Sequence, residues 1–430
     1  STPAAGTGAS GATAKLDDTK PTPKSEDTTQ AGGVSVAAAV GIDVGVATTT
    51  ASIAAGRKIS SSSGALRVGS TAQTDASAKA DGSQVDAGNT DVGVGAAVAL
   101  NVGVATNVAT IGAGADVDTQ GVAVSAVIPA GEKSDYGAEA KSGAGAGNVG
   151  VAGSLAVNAV VNTTVASIAG TANVDAGTGD VLIEARNATA SAVKSEAAVV
   201  PPASGGTAKA GVGASVGLNV AVNTTVAEIA DGAILTRGDD LAVNAKGEHS
   251  MSTEVTGGAA GASVAVTPVA AVSIGVNTTV ARAGTGTALG ITGAYSSVAE
   301  QTSTTTSVAT GQTQGNDVAV GASIALTVAT DTVSAGVERD IDAVKGVSVD
   351  AKSTARSSAS ATASAKGGEK ADASGAPPAG GGGAPGKSVD QKVAAQGDAA
   401  KAAGKKTAAA APSTPAAGTG ASGATAKLDD

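Results

Sequence analysis

The chain has 430 residues and a net charge of −10, and it contains no Cys, Phe or Trp. The missing cysteines exclude disulfides, thiolate metal sites and cysteine nucleophiles, and the acidic balance argues against nucleic acid as a partner. Because Tyr136 and Tyr295 are the only tyrosines, the chain cannot build a core from large aromatic side chains. Its interior must be thin and filled by Val, Ile, Leu, Ala and Gly.

Low-complexity sequence forms both ends of the chain. Residues 1–32 and 362–430 are rich in Ala, Gly, Pro and Lys, and residues 380–386 read GGGGAPG. This composition predicts a connecting linker. Residues 413–430 repeat residues 1–18 letter for letter, at an offset of 412 residues. We interpret the offset as the period of a tandem repeat, and an engineered duplicate is the alternative.

Six copies of a shorter unit occupy residues 33–361, and their clearest segment is GLNVAVNTTVAEI at residues 217–229. Equivalent segments begin at residues 41, 99, 156, 271 and 325, so the repeat is about 57 residues long. Self-similarity at a fixed period of this size is typical of repeat architectures.

Apolar residues alternate with a period of two in each unit, which predicts strands. In the second copy, Val92 and Leu100 lie on one face, and Gly93, Gly95 and Asn101 lie on the other. A second strand follows a Gly/Asp turn, as in DVLIEARNATASAV from residue 180, and its charged face is expected to meet water. A strand face made of Gly and Ala implies that another sheet approaches it closely.

This pattern predicts an all-β fold, namely a β-solenoid (parallel β-helix-like) whose coils stack at about 4.8 Å. A long antiparallel meander is the competing topology. We expect backbone hydrogen bonds between coils and continuous Val ladders to hold the rod together. The first and last units, at residues 34–53 and 318–337, show no charged cap, so we expect open apolar ends.

The repeats GVGASVGLNVAVNTTVAEI and their equivalents resemble those of giant bacterial surface adhesins of the filamentous-haemagglutinin-like and autotransporter-like kind. The resemblance covers residues 33–361 and is specific to that loose class. It implies a secreted β-solenoid used in adhesion, cell–cell contact or matrix building, and it brings no catalytic residues.

Polar side chains recur at fixed positions of the repeat and are the candidate site residues. Two series of Asn are predicted to form stacked structural ladders, and a Thr series runs beside them. The members are Asn101, Asn158 and Asn219, then Asn162, Asn223 and Asn277, then Thr163, Thr224 and Thr278. The second Asn series lies in Asn-Thr-Thr sequons, so glycosylation remains an alternative if the side chains are exposed. The Thr series could form a flat ice-binding array, although β-propensity explains it more simply.

No residue pattern points to catalysis. His249 is the only histidine. A single histidine cannot form a His-based metal site, and we expect no cofactor or metal. Asp116 and Asp118 are interpreted as turn formers, with calcium as the alternative. No apolar run is long enough to cross a membrane as a helix.

The expected function is a structural repeat unit of a very long extracellular fibre or surface filament in a matrix, sheath or cell–cell contact. The alternative is the stalk of an adhesin whose ligand-binding domain lies outside this sequence. The expected partners are copies of the chain itself, end to end and laterally, and the cell surface or other cells.

Overall fold

The computed structural model describes residues 33–84, 90–145, 147–200, 209–315 and 317–367. These residues form twenty β-strands and no helix. The predicted linker at residues 1–32 lies outside them, as do residues 368–430 of the second linker, while the last strand continues past residue 361 to Gly367. The strands are β1 (Gly33–Ile53), β2 (Lys58–Ser60), β3 (Leu66–Thr71), β4 (Ala76–Ser83), β5 (Thr90–Ile111), β6 (Asp116–Asp118), β7 (Val122–Val127), β8 (Ser134–Gly145), β9 (Val149–Ile168), β10 (Asn173–Asp175), β11 (Val181–Val200), β12 (Ala210–Ile229), β13 (Ile234–Arg237), β14 (Leu241–Gly261), β15 (Val264–Ala283), β16 (Leu289–Ile291), β17 (Ala294–Gly315), β18 (Val318–Val337), β19 (Ile341–Ala343) and β20 (Gly346–Gly367).

The strands wind into six coils, each containing one complete repeat. Sheet A has the strand order β1-β5-β9-β12-β15-β18, and sheet C has the order β20-β17-β14-β11-β7-β3, with β8 beside β11 and β4 beside β8. Sheet B joins them at one side through the short strands β13-β10-β6-β2, and β16 pairs with β19. Neighbouring strands are parallel. The predicted β-solenoid is therefore confirmed, with one large coil per repeat.

The coils stack in the register that the sequence repeats predict. Leu100 pairs with Val157, and Val157 pairs with Leu218. This column of stacked residues, which we call a file, continues to Ile42 at one end and through Val272 towards the last coil at the other. Each repeat therefore places the same residue at the same height in the coil, and matching side chains form continuous ladders along the rod.

A Gly residue makes the sharp turn from sheet A to sheet B in several coils. Gly56, Gly114 and Gly232 have φ values of 66°, 66° and 78°, in the left-handed region where a Cβ is unfavourable. The equivalent residue of the third coil is Thr171, with a φ of 63°. A β-branched residue in this conformation is strained.

The interior is thick at sheet B and thin at the opposite side. Near sheet B, three sheets enclose an apolar core that includes Ile111, Ile168, Ile229, Val117, Val174, Leu235, Ile183, Val243 and Tyr295. At the far side, sheets A and C nearly touch. A Cβ on Gly93, Gly95, Gly211 or Gly213 would overlap a backbone carbonyl oxygen of sheet C. The predicted close approach at the Gly faces is confirmed.

The long Val ladders of sheet A lie on the outside of the rod, which corrects the expectation that they hold it together. In β9, Val151, Leu155 and Val161 point outward, whereas Gly150 and Ala152 point inward. The reason is spacing: two sheets this close leave room only for small side chains between them. The apolar residues of the first and last units likewise lie on the side of the rod, so they do not form its end surfaces.

Candidate functional site

The largest distinctive surface is the outside of sheet A, which we name the aliphatic face. It comprises the outward side chains from Val34 to Val46 of β1 and their partners in the other five coils. Apart from Thr330, its members are Val, Ile, Leu, Ala, Gly and Pro. Even in the middle coils, Leu155, Val161 and Val216 are 37%, 45% and 42% exposed. The surface contains no charged side chain.

The predicted Thr series borders the aliphatic face. Thr163, Thr224 and Thr278 are stacked neighbours on the outside of sheet A. The next outward position along each middle strand is Val165, Val226 and Val280 rather than a second Thr. The series is therefore a single file, one residue wide, at the edge of an aliphatic surface.

The outside of sheet C has the opposite character. Its outward positions include Glu184, Arg186, Lys194 and Glu254. Ion pairs connect successive coils there, such as Arg186 to Glu248 at 3.5 Å. The inward positions of the same strands, including Val181 and Ile183, are buried, as the alternation of these strands predicts. The rod therefore has one apolar and one polar broad face.

The first Asn series lies inside the thin part of the rod. Asn101, Asn158 and Asn219 are fully buried. The Nδ2 of Asn101 donates to Oδ1 of Asn158 at 2.7 Å, and that of Asn158 donates to Oδ1 of Asn219 at 3.2 Å. From sheet C, Ser191 accepts from Asn158 at 2.7 Å and donates to Asn219 at 2.6 Å. These bonds join three coils and both sheets.

The second Asn series lies two inward positions closer to the thick core. Asn162, Asn223 and Asn277 are at most 3% exposed. The Nδ2 of Asn223 donates to Asn277 at 2.8 Å, and that of Asn277 donates to Asp331 at 2.9 Å. Because these amides face inward, the folded rod presents none of these three sequons to a modifying enzyme.

His249 adjoins this second series and has no catalytic partner among the described residues. Its Nδ1 lies 2.8 Å from Thr189 Oγ1, and that hydroxyl donates to Asn223 Oδ1. This arrangement places the ring proton on Nδ1, so that it donates to Thr189. Burial lowers the pKa of His249 to about 4. The ring is therefore a neutral interior group at physiological pH.

Arg339 is a structural residue that sequence reasoning missed. It lies just after β18 and is 8% exposed. Its guanidinium donates to four backbone carbonyl oxygens of the two preceding turns, namely those of Ala230, Ala233, Gly284 and Thr285. The only sequence signal is a charged VERD segment at residues 337–340, where the second and third repeats read IGAG and IAGT.

The described residues contain no group of three or more His, Cys, Asp or Glu side chains that could hold a metal ion. A groove of about 590 Å³ lies beside the break between β13 and β16 and includes Arg237 and Asp342. Arg237 is already paired with Asp175 at 2.7 Å.

In the part of the chain that the structure describes, no helix is long and apolar enough to cross a membrane.

Comparison of the chain with protein families, with curated proteins and with solved structures found no match.

Proposed function

We propose that the chain is a structural repeat unit of a very long extracellular fibre or surface filament. The observation that carries this proposal is the stacking of six coils in residue register over strands of about 20 residues. Each internal boundary between coils is a parallel ladder that spans nearly the whole width of the rod. Such a stack has no natural limit to its length.

The ends of the rod support growth along its axis. Within the described residues, β1 pairs only with β5 and β18 pairs only with β15. Their outer edges carry backbone N–H and C=O groups in the pattern that accepts another strand. Along β1, alternate side chains from Val34 to Val46 are 62–70% exposed, apart from Ala38, against 37–45% for Leu155, Val161 and Val216 of the middle coils, so no further strand covers this edge among the described residues. The edge chemistry favours stacking against a neighbouring unit.

The extracellular location rests on the resemblance of the repeats to those of surface adhesins. The same resemblance supports a role in a matrix, sheath or cell–cell contact. Such roles require a long and stiff molecule. The interior supplies that stiffness through the Asn ladders, which bond coil to coil.

Electron microscopy of the purified chain tests the proposal. We expect filaments that lengthen with concentration, because unpaired edges associate. The comparison is Thr50→Pro in β1, because the N–H of Thr50 points to the outer edge, where a missing donor and a rigid ring disrupt pairing with another unit. Dispersed rods of one unit for both proteins would refute end-to-end growth and favour the adhesin stalk.

A further inference from the structure

The aliphatic face is larger than an isolated protein normally exposes. It extends about 40 Å along the strands, at ~3.3 Å per residue, and about 29 Å across six strands at ~4.8 Å, giving roughly 1,100 Å². The largest apolar patch of a typical monomer covers roughly 300–600 Å². Such a surface marks an interaction site.

We propose that the aliphatic face pairs with the same face of a second copy of this chain. Pairing would cover about 1,100 Å² on each partner, more than the ~800 Å² per partner of a standard stable interface. A partner with a charged surface would lose its hydration without gaining an ion pair. A second copy offers an equally flat and uncharged surface, and a tandem array would hold such copies close together.

The relief of the face specifies how two copies fit. One file of small residues forms a trough along the rod: Ala38, Ala96, Gly153, Ala214 and Ala322, with Pro268 in the fifth coil. Two files further along the strands, larger residues form a ridge: Ile42, Leu100, Val157, Leu218, Val272 and Leu326. The file between them contains Val40, Val98, Leu155 and Val216.

A two-fold axis along this middle file, parallel to the rod, places the ridge of each copy over the trough of the other. The contact is then isologous, and both rods point the same way. A two-fold axis parallel to the strands would instead set ridge against ridge. Packing of large side chains against small ones therefore selects the axis along the rod.

The number of copies follows from the other broad face. Because the outside of sheet C presents Glu184, Arg186, Lys194 and Glu254, only one side of each rod is apolar. Lateral association therefore stops at two. This pairing goes beyond growth through the rod ends and does not depend on it.

Sedimentation of the full chain tests the pairing with two matched variants. Leu155→Lys with Val161→Lys places two charges on the aliphatic face. Leu182→Lys with Ala192→Lys places the same charges on the outside of sheet C. All four side chains point outward, so both variants should retain the β-sheet circular dichroism of the wild type.

At concentrations below those that give filaments, we expect the wild type and the sheet C variant to sediment as pairs, and the aliphatic-face variant to pair at least 100-fold more weakly. A wild type that is monomeric overturns the proposal and leaves a membrane or another segment of the chain as the occupant of the face. Association that persists unchanged in the aliphatic-face variant also overturns it and assigns the association to the rod ends.

A single spin label tests the axis. Because the chain has no native Cys, Thr106→Cys creates a unique labelling site at the border of the face. Thr106 lies about 26 Å along the strand from Val98, at ~3.3 Å per residue, so the two labels of a pair should be about 50 Å apart. A distance of roughly 10–20 Å, the value expected when equivalent files face each other across sheets ~10 Å apart, would overturn the axis along the rod.

Discussion

The close approach of sheets A and C makes Gly213 a position where one methyl group should have a large effect. A Cβ on Gly213 would overlap the carbonyl oxygen of Gly258 and lie 2.8 Å from its carbonyl carbon. Both atoms belong to the backbone of β14, which pairs with β11 and β17 on either side. Because the clash is with backbone atoms, rotation of a side chain cannot relieve it, and sheets A and C must separate. We expect Gly213→Ala to lower the free energy of unfolding by about 3 kcal/mol, at the upper end of the usual range for overpacking.

Gly153→Ala is the matched control, because Gly153 lies on the outside of sheet A with no atom within 4 Å of an added Cβ. Replacing Gly in a strand by Ala should raise stability by about 0.5–1 kcal/mol. Urea denaturation measures both changes, and hydrogen exchange should show the loss at Gly213 concentrated in β12 and β14. Equal effects of the two substitutions would refute the tight packing of the thin side.

Four further substitutions test other parts of the rod by urea denaturation. Thr171→Gly should stabilise by about 1 kcal/mol, because it relieves the left-handed strain at φ 63°; a loss of stability would contradict that strain. Asn158→Ala should destabilise by about 3 kcal/mol, because its ladder neighbours lose their buried partner; no change would mean that water replaces the amide. Arg339→Lys should cost about 3 kcal/mol, since an ammonium group cannot reach four carbonyl oxygens; full retention of stability would contradict this role. Burial lowers the pKa of His249 to about 4, so the folded chain keeps this ring neutral while the unfolded chain binds a proton below pH 6.5. The free energy of unfolding should therefore fall by about 3 kcal/mol between pH 6.5 and 4, and this ring should not change it above pH 6.5. His249→Gln should remove this part of the pH dependence, and an unchanged profile would contradict the assignment.

The sequence was sufficient to predict the strands, their parallel stacking and their register. Alternation over about 13 residues specifies a strand, and the spacing of six repeats aligns Leu100 with Val157 and Leu218. Register follows because a shift by one residue would exchange the two faces of a strand. The buried small face was also predictable, because a strand face that combines Gly93 and Gly95 with Ala residues implies the close approach of another sheet.

The outward direction of the Val ladders could not be read from alternation alone. A period of two separates two faces without saying which is inside, and Val favours strands on either face. The distance between sheets decides the matter, and it depends on residues far apart in sequence, such as Gly213 and Gly258. The role of Arg339 could not be predicted for a similar reason, because the carbonyl oxygens that it binds belong to the two preceding coils.

X-ray fibre diffraction of oriented filaments tests the stacked rod most directly. If units join through their ends, the strands lie across the fibre and the spacing between coils lies along it. A reflection at about 4.8 Å should then appear on the meridian. The same reflection on the equator, or a fibre with no 4.8 Å order, would contradict growth by stacking of coils.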